Sequence, residues 1–316
     1  MDISDVFKLG QELGYREYMI PRYVEMLGVK ETIKLLLFNE QDLTPSIRLN
    51  SLRVPYDVTI NLLKRKGVKL ENVKEFPEAK RVLQSRVPIG ATPEYLNGYY
   101  MLQGINSLYP IKALNPLPGE LIADLAAAPG GKTTYIAQQM CNKGTIIAVD
   151  VNTNRCRALK SNIARMGVTN TIVLNMDARN IKKLNIKFDK ILLDAPCSGS
   201  GVIVSDPSRK TSKSLEDLIH YSQYQYQILK EAIQVLKKGG TLVYCTCSLE
   251  PEENELVISK VLEEDEVEIC DTGVKADPAI TKFKDYTLAP EIKKAIRIYP
   301  HKFEGEGFFI AKLVKK

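Results

Sequence analysis

Hydrophobic residues recur at helical spacing near the start of the chain. Between residues 4 and 38 the apolar positions follow one another at intervals of about three to four; among them are Val6, Leu9, Leu13, Ile20, Val24, Leu27, Ile33 and Leu37. From Ser46 the pattern changes to short apolar runs separated by proline, glycine and charged residues, which is typical of a compact α+β module. We therefore expect a helical segment over residues 1–45 and a smaller α+β module over residues 46–110.

From residue 111 onward, strand-like and helix-like patterns alternate. The strand-like runs, rich in β-branched residues and leucine, are LIADLAA, TIIAVDV, TIVLNMDAR, KILLDAPC, GTLVYCTCS and GFFIAKLV. Runs of this kind, alternating with amphipathic helices, are typical of a mostly parallel sheet covered on both faces. We predict an α/β fold in which residues 111–316 form a doubly wound, Rossmann-like domain.

Composition excludes several classes of function. No run approaches the roughly 18 apolar residues that a membrane span needs, and the N-terminus carries no targeting pattern, so a soluble, cytoplasmic protein is expected. The six cysteines do not form the framework of a small secreted domain and should be reduced thiols. With only His220 and His301 present, a histidine-based triad and a metal site are both disfavoured.

The net charge of +6 is distributed unevenly. Residues 46–90 hold ten Lys and Arg against four Asp and Glu, whereas residues 1–45 hold five against eight. A basic module suits the phosphates of RNA, although an ordinary solvated surface is the alternative. Its candidate contacts are Lys64, Arg65, Lys66, Lys69, Lys80, Arg81 and Arg86.

Two further groups could assist RNA binding. The basic stretch 208–213 follows a strand end and could hold the backbone of a target nucleotide. Tyr95, Tyr99 and Tyr100 could stack on a base that has left its helix, although core packing is the alternative for at least some of them.

Polar and small residues follow the first three strand-like runs. The turn D-L-A-A-A-P-G-G-K (124–132) lets the backbone approach a ligand at a helix N-terminus. Asp150 ends the second strand, where a carboxylate can accept bonds from ribose hydroxyls, and Asp177 ends the third, where one can accept from an adenine amino group. Because the phosphate-binding G-x-G-x-x-G is absent, the turn favours S-adenosylmethionine over NAD.

Two cysteines lie at the ends of the next two strands. The fourth strand ends with Asp194 and Cys197 in D-A-P-C-S-G-S-G, and the fifth ends with Cys245 and Cys247 in Y-C-T-C-S. These strands should be neighbours in a doubly wound sheet. For the remaining cysteines, a role as a small buried apolar residue is the better interpretation.

This pair suits one particular reaction. Carbon 5 of cytosine is a poor nucleophile, and addition of a thiolate to carbon 6 makes the ring electron-rich at carbon 5. After methyl transfer, a base removes the carbon-5 proton and the thiolate leaves. An acid near ring nitrogen 3 assists the addition, and Asp194 is placed for this role. One attacking and one assisting cysteine account for both halves of the reaction.

The motifs 124–132, 194–201 and Y-C-T-C-S-L-E-P-E-E-N-E (244–255) resemble those of the NSUN (Nol/Nop/Sun) family of RNA cytosine-5 methyltransferases. The resemblance extends over most of the chain, from R-L-N-S-L (48–52) to G-F-F-I-A-K-L (307–313). It implies an RNA (cytosine-5-)-methyltransferase that uses S-adenosyl-L-methionine and forms 5-methylcytosine.

The resemblance also implies residue roles. It makes Cys247 of the T-C-S motif the nucleophile and Cys197 of the P-C motif the residue that assists product release. The implied cofactor contacts are Ala126, Ala127, Ala128, Pro129, Gly130, Gly131, Lys132, Asp150, Arg155, Asp177 and Asp194. DNA cytosine methyltransferases attack from the P-C position and lack the second cysteine, so the pair indicates an RNA substrate.

The substrate is expected to be tRNA, by analogy with short archaeal family members that lack a PUA domain. An rRNA methyltransferase and a non-catalytic RNA-binding assembly factor are the alternatives, although the aspartates and both cysteines count against the second. An adenine-N6 enzyme typically has D/N-P-P-Y/F where this chain has D-A-P-C. We expect a monomer that binds RNA and no membrane.

Overall fold

The computed structural model describes residues 3–316. The elements up to residue 114 are α1 (Ile3–Glu12), α2 (Met19–Phe38), β1 (Ser46–Leu49), α3 (Tyr56–Arg65), β2 (Lys69–Val73), β3 (Phe76–Gln84), α4 (Pro93–Leu96), β4 (Tyr100–Leu102) and α5 (Tyr109–Leu114). Those from 121 to 194 are β5 (Leu121–Leu125), α6 (Gly131–Gln139), β6 (Thr145–Asp150), α7 (Thr153–Met166), β7 (Thr171–Asn175) and β8 (Phe188–Asp194).

The remaining helices and strands complete the alternation expected from the sequence. They are α8 (Leu215–Val235), β9 (Leu236–Thr246), α9 (Glu255–Glu264), β10 (Val267–Cys270), β11 (Asp277–Pro278), β12 (Lys282–Phe283), β13 (Tyr286–Thr287), β14 (Ile296–Ile298), α10 (Pro300–Phe303) and β15 (Phe308–Lys315). Within residues 3–316, no helix has both the length and the apolar character needed to cross a membrane.

The chain divides into two compact units that are discontinuous in sequence. The first comprises the segment up to Leu43 together with Ala195–Gln234 and Thr241–Lys316, and the second comprises Thr44–Asp194 and Val235–Gly240. The organisation expected from the sequence, with segments 1–45, 46–110 and 111–316, stays a prediction.

The second unit contains two sheets. One is an antiparallel sheet of order β2-β3-β1-β4, packed around a core that includes Ile47, Leu63 and Tyr100. The other consists of parallel strands in the order β8-β5-β6-β7. The helices between the parallel strands begin and end at suitable residues: Asn152 accepts a bond from the Arg155 amide at the start of α7, and Gly167 (φ 73°) ends that helix.

The first unit has antiparallel strands in the order β11-β14-β15-β9, with β10 also paired to β15. The prediction of an α/β fold is confirmed, but the expected mostly parallel pairing does not extend to these C-terminal strands. The expected N-terminal helical stretch is present as α1 and α2. Non-helical backbone at Gly28 (φ 77°, ψ 165°) kinks α2.

Candidate active site

The parallel strands of the second unit end at one edge, and the predicted cofactor residues lie there. Leu125 is level with Val149 and with Leu193, and Asp150 is level with Asn175. Asp150 and Asp194 therefore end strands that are two strand spacings apart, about 10 Å. A ligand that bridges such an edge must be elongated, as a nucleoside with an amino-acid tail is.

Asp150 is buried at this edge. Its carboxylate accepts backbone N–H bonds from Ala128 (3.1 Å) and Asn152 (2.9 Å), so the turn after β5 is attached to the end of β6. The Arg155 guanidinium lies 3.7 Å from the same carboxylate and also donates to the carbonyl of Ala128. A carboxylate offers about four acceptor positions, so Asp150 can accept two more bonds, as two ribose hydroxyls require.

Small residues shape the turn that joins β5 to α6. Ala126 has a positive φ of 67° and Gly130 one of 105°. A Cβ at Gly130 would lie 2.8 Å from the Leu159 side chain, so the turn packs closely on α7. This turn thus forms a cradle of backbone and methyl groups. A ligand can therefore approach the N-terminus of α6 closely.

Two further predicted contacts are held by cations. The Lys132 ammonium lies 2.8 Å from the Asp194 carboxylate. Asp177 accepts bonds from the backbone and the guanidinium of Arg179, and the side-chain bond lowers the pKa of Asp177. Asp177 is therefore charged at neutral pH, and both side chains are positioned before any ligand arrives.

A fourth carboxyl group, Asp124, lies at the same edge and was not singled out from the sequence, although it opens the motif 124–132. It is fully buried and accepts a bond from the Thr133 hydroxyl at 2.5 Å, while its Oδ1 has no partner among the described residues. Burial raises the pKa of Asp124 to about 7, and the nearby charge of Asp194 adds to the rise.

The donors and acceptors of this edge fit S-adenosylmethionine. That cofactor presents ribose hydroxyls, an adenine amino group, an ammonium and a sulfonium cation. The edge offers carboxylate acceptors, an unpartnered buried oxygen and a cradle without bulky side chains. Asp150, Asp177 and Asp194 can take the polar groups, and Ala126–Lys132 can take the apolar faces.

The two predicted catalytic cysteines meet in the first unit. The Sγ atoms of Cys197 and Cys247 are 3.2 Å apart and half-buried. This is contact distance, longer than the roughly 2.05 Å of a disulfide bond. Cys245 is buried within β9. Cys247 lies just beyond Thr246, where that strand ends, and is half-buried. The structure therefore separates the pair from the buried cysteine of the same motif.

Backbone hydrogen bonds hold the two cysteine-bearing loops together. Ala195 donates to the carbonyl of Cys245 at 2.8 Å, and Gly201 donates to the carbonyl of Cys247 at 2.9 Å. The Leu249 amide donates to the Ser200 hydroxyl at 2.9 Å. These bonds lie on both sides of Cys197, so the separation of the thiols is determined by main-chain geometry as well as by rotamers.

Glu253 adds a side-chain link that sequence analysis missed. Its buried carboxylate accepts bonds from the Ser198 amide at 2.8 Å, the Ser198 hydroxyl and the Ser248 hydroxyl at 2.7 Å. Ser198 follows Cys197 directly, and Ser248 follows Cys247. The only sequence signal was its place in the motif 244–255, where it is one of several acidic residues.

The basic side chains of residues 46–90 differ in exposure. Lys64, Arg65, Lys69 and Arg86 are exposed, whereas Lys66 pairs with Glu94. Arg81 is half-exposed near Glu71, and Lys80 is buried and donates to the carbonyl of Pro77. Their role in RNA binding stays a prediction, and the exposed four are its best-placed members.

In the stretch 208–213 each basic side chain has a partner within the first unit. Arg209 pairs with Asp206, Lys210 with Glu40, and Lys213 donates to the hydroxyl of Tyr221. Arg209 is also 3.4 Å from the carbonyl of Ser198, beside Cys197. Contacts of this stretch to a nucleotide remain a prediction.

The three tyrosines pack within the second unit. Tyr100 is buried, and Tyr95 and Tyr99 are half-buried against the same core. The guanidinium of Arg165 lies 4.2 Å from the centre of the Tyr95 ring. For Tyr100, core packing is therefore the interpretation that the structure supports.

Comparison with known proteins identifies the family of this chain. A family profile described as 16S rRNA methyltransferase RsmB/F matches residues 111–314. The human 28S rRNA (cytosine(4447)-C(5))-methyltransferase is 40% identical over 96% of this chain, which corresponds to 38% of the human protein. A tRNA (cytosine(72)-C(5))-methyltransferase of Pyrococcus horikoshii is 39% identical over 79% of this chain and 63% of that protein. The chain spans 38% to 51% of the length of the four most similar eukaryotic relatives compared.

Comparison with solved structures points to the same family. A methyltransferase homolog protein from Pyrococcus horikoshii is 40% identical, with a TM-score of 0.90 and 99% coverage of both chains. NSun6 from the same organism, solved with the S-adenosylmethionine analogue SFG, is 28% identical with a TM-score of 0.82, covering 93% of this chain and 96% of that one. The predicted family and cofactor are confirmed: the chain belongs to the NOL1/NOP2/Sun family of S-adenosylmethionine-dependent RNA cytosine-5 methyltransferases.

Proposed function

We propose that this protein methylates carbon 5 of a cytosine in RNA through a covalent adduct on Cys247. The observation that carries the proposal is the contact of the Cys197 and Cys247 thiols at 3.2 Å, in a loop pair held by hydrogen bonds on both sides. Asp194 lies close to Cys197 as well, because the three residues of backbone that join them span at most about 10 Å.

The proposed reaction begins with Cys247. Its thiolate forms a bond to carbon 6 of the cytosine, and the electron pair of the 5,6 double bond moves into the ring. Asp194 holds a proton at ring nitrogen 3, which neutralises the developing charge. S-Adenosylmethionine, when bound, supplies an activated methyl group on its sulfonium. A base then takes the proton from carbon 5, the 5,6 double bond re-forms, and the bond between carbon 6 and the Cys247 sulfur breaks. The proton at ring nitrogen 3 returns to Asp194, and Cys197 assists the release of the Cys247 thiolate.

The chain's own residues supply positioning for the cofactor. Asp150 would accept from the ribose hydroxyls and Asp177 from the adenine amino group, each as a charge-assisted bond. Lys132 pairs with Asp194, so this carboxylate is oriented before substrate binds. Preorganised charge of this kind favours the reaction because little rearrangement is needed during turnover.

We propose tRNA as the substrate, and the archaeal tRNA relative at 39% identity supports this choice. A second candidate is ribosomal RNA, because the rRNA enzymes of eukaryotes are 40% to 41% identical over 96% to 97% of this chain. The purified protein should be incubated with separated tRNA and rRNA fractions and with methyl-labelled S-adenosylmethionine.

Label in the tRNA fraction, with bisulfite sequencing locating 5-methylcytosine, would support the proposal. Label in rRNA alone would favour the second candidate. A protein that binds both fractions without transferring label would instead be a non-catalytic RNA-binding factor, and the proposed activity would be wrong.

A further inference from the structure

We propose that Glu253 is a positioning residue that sets the separation of the two cysteine thiols by holding both cysteine-bearing loops at once. The consequence for catalysis rests on the function proposed above, whereas the consequence for the thiols does not. Its partners include Ser198 and Ser248, which directly follow Cys197 and Cys247.

The contacts of Glu253 are divided between the loops. Oε2 accepts from the Ser198 amide at 2.8 Å and from the Gln225 side-chain amide at 3.0 Å, and Oε1 accepts from the Ser198 hydroxyl and from the Ser248 hydroxyl at 2.7 Å. Gln225 of α8 also donates to the carbonyl of Pro196 at 2.8 Å. The residues on either side of Cys197 are therefore fixed by one network.

The loop of Cys247 is fixed from the same point. The hydroxyl of Ser248 accepts from the Glu250 amide at 3.0 Å, and the amide of Ser248 donates to the Thr246 hydroxyl at 3.2 Å. The carbonyl of Ser248 accepts from the Asn254 side chain at 2.9 Å. Because Glu253 binds Ser248 within this tight turn, a displacement of its carboxylate would be passed to the neighbouring residue, Cys247.

Glu253 differs from the other buried acids of its segment. Glu250 pairs with the guanidinium of Arg22 at 2.7 Å, and Glu255 pairs with that of Arg297 at 2.5 Å. Among residues 3–316, the four donors to the Glu253 carboxylate are neutral amides and hydroxyls. Burial of a carboxylate among neutral donors destabilises the folded state. We infer that a carboxylate nevertheless stands here because its two oxygens can bind both loops at once.

Glutamine and alanine should have different effects at this position. In Glu253→Gln, the amide oxygen can take the place of Oε2 and accept from Ser198 and Gln225. The amide nitrogen then faces the two serine hydroxyls, which can rotate to accept. In Glu253→Ala the Ser198 amide and the Gln225 side chain lose their acceptor. The glutamine variant should keep the loops together and the alanine variant should not.

Disulfide exchange between Cys197 and Cys247 measures their separation without RNA or cofactor. The protein should be placed in glutathione redox buffers, and the Cys197–Cys247 disulfide quantified by peptide mass spectrometry. We expect Glu253→Ala to lower the fraction of disulfide, measured as its equilibrium constant, about tenfold, and Glu253→Gln to stay within about threefold of the native protein. Ser248→Ala, which removes one of the four bonds, should lie between them.

Glu250→Ala is the matched control, because it removes an equally buried carboxylate of the same segment and leaves Arg22 without that partner. It should lower the thermal midpoint at least as much as Glu253→Ala and leave the disulfide constant within about twofold. If Glu253→Ala leaves the constant unchanged, or if Glu250→Ala lowers it equally, Glu253 has only a structural role and the proposal is overturned.

Methylation assays then connect the geometry to turnover. With Glu253→Ala we expect kcat to fall ten- to a hundredfold while the Kd for S-adenosylmethionine changes less than threefold, and Glu253→Gln should restore most of the rate. If the disulfide constants follow the predicted order but the native protein methylates no RNA, the positioning role stands and the proposed function fails. If kcat is unchanged in Glu253→Ala despite a lowered disulfide constant, Glu253 positions the thiols without a part in catalysis, and the catalytic consequence is overturned.

Discussion

Gly201 donates its backbone N–H to the carbonyl oxygen of Cys247 at 2.9 Å, and a Cβ at Gly201 would lie 2.7 Å from the same oxygen and 2.8 Å from the carbonyl oxygen of Gly307. Both obstacles are main-chain atoms, which cannot rotate away. The second glycine of D-A-P-C-S-G-S-G is thus required for the close approach of the two cysteine-bearing loops.

Gly201→Ala should therefore displace Cys247 relative to Cys197 and lower methylation at least tenfold. A fall in the thermal midpoint of several degrees should accompany the loss, since overpacking typically costs about 1–3 kcal/mol. Gly90→Ala is the control, because its Cβ would meet only the Leu102 side chain at an ordinary 3.4 Å. Equal activity of both variants would contradict the argument from the Gly201 contact.

Replacing each of the two cysteines should block the reaction at a different step. Cys197→Ala should still add to carbon 6 and accept the methyl group, and then remain attached to RNA through Cys247. Cys247→Ala should form no adduct. A denaturing gel with RNA and S-adenosylmethionine should show a slow-migrating protein–RNA band for Cys197→Ala only. A band for Cys247→Ala alone would reverse the two roles.

Asp150→Ala should weaken cofactor binding. Loss of charge-assisted bonds to the ribose costs about 1.5–3 kcal/mol, which corresponds to a ten- to hundredfold rise in Kd. Isothermal titration calorimetry with S-adenosylmethionine measures this directly. Asp277→Ala, which removes a partly exposed carboxylate paired with Lys302, should bind the cofactor normally. An unchanged Kd for Asp150→Ala would exclude Asp150 from the cofactor site.

Asp124 should make the stability of the folded protein depend on pH. Burial raises its folded-state pKa to about 7 from 3.8, so the folded state holds the proton more tightly than the unfolded state does. Its contribution is present below the unfolded pKa and is lost as pH rises through 7. Relative to Asp124→Asn, the native protein should lose a few kcal/mol of unfolding free energy between about pH 4 and 7.5. Denaturant titrations at several pH values test this, and parallel curves for the two proteins would refute it.

The buried Arg48 should stabilise the start of α6, next to the turn that joins β5 to this helix. Its buried guanidinium donates to the carbonyl of Gly131 at 2.9 Å and to the Thr134 hydroxyl at 2.8 Å, and lies 4.8 Å from the centre of the Tyr135 ring. Arg48→Met leaves the Gly131 carbonyl without this donor, and we expect a loss of about 2–4 kcal/mol in unfolding free energy. Arg65→Ala, at an exposed position, should change it by less than about 0.5 kcal/mol. Similar losses in the two variants would contradict the role of Arg48.

Much of the architecture could be predicted because its signals are local. Near-continuous apolar runs predicted β5 to β9, and amphipathic patterns predicted helices between them. Parallel strands necessarily bring their carboxyl ends to one edge. The candidate residues Asp150, Asp177 and Asp194 could therefore be identified from strand ends alone. The family motifs likewise indicated Cys197 and Cys247 as candidates, because the proposed reaction needs thiols and few other residue types can substitute.

Tertiary structure alone decided which polar residues are paired and which are exposed. Lys66 and Arg86 are similar basic residues in the sequence, yet Lys66 pairs with Glu94 while Arg86 is exposed. Glu253 is one of several acids in its segment, and only the fold places it 2.8 Å from the amide of Ser198, 55 residues away. Spacing along a chain determines which face of a helix or strand a side chain occupies. The partner that it meets there depends on which distant segment packs against that face, and this is decided by the free energy of the whole fold.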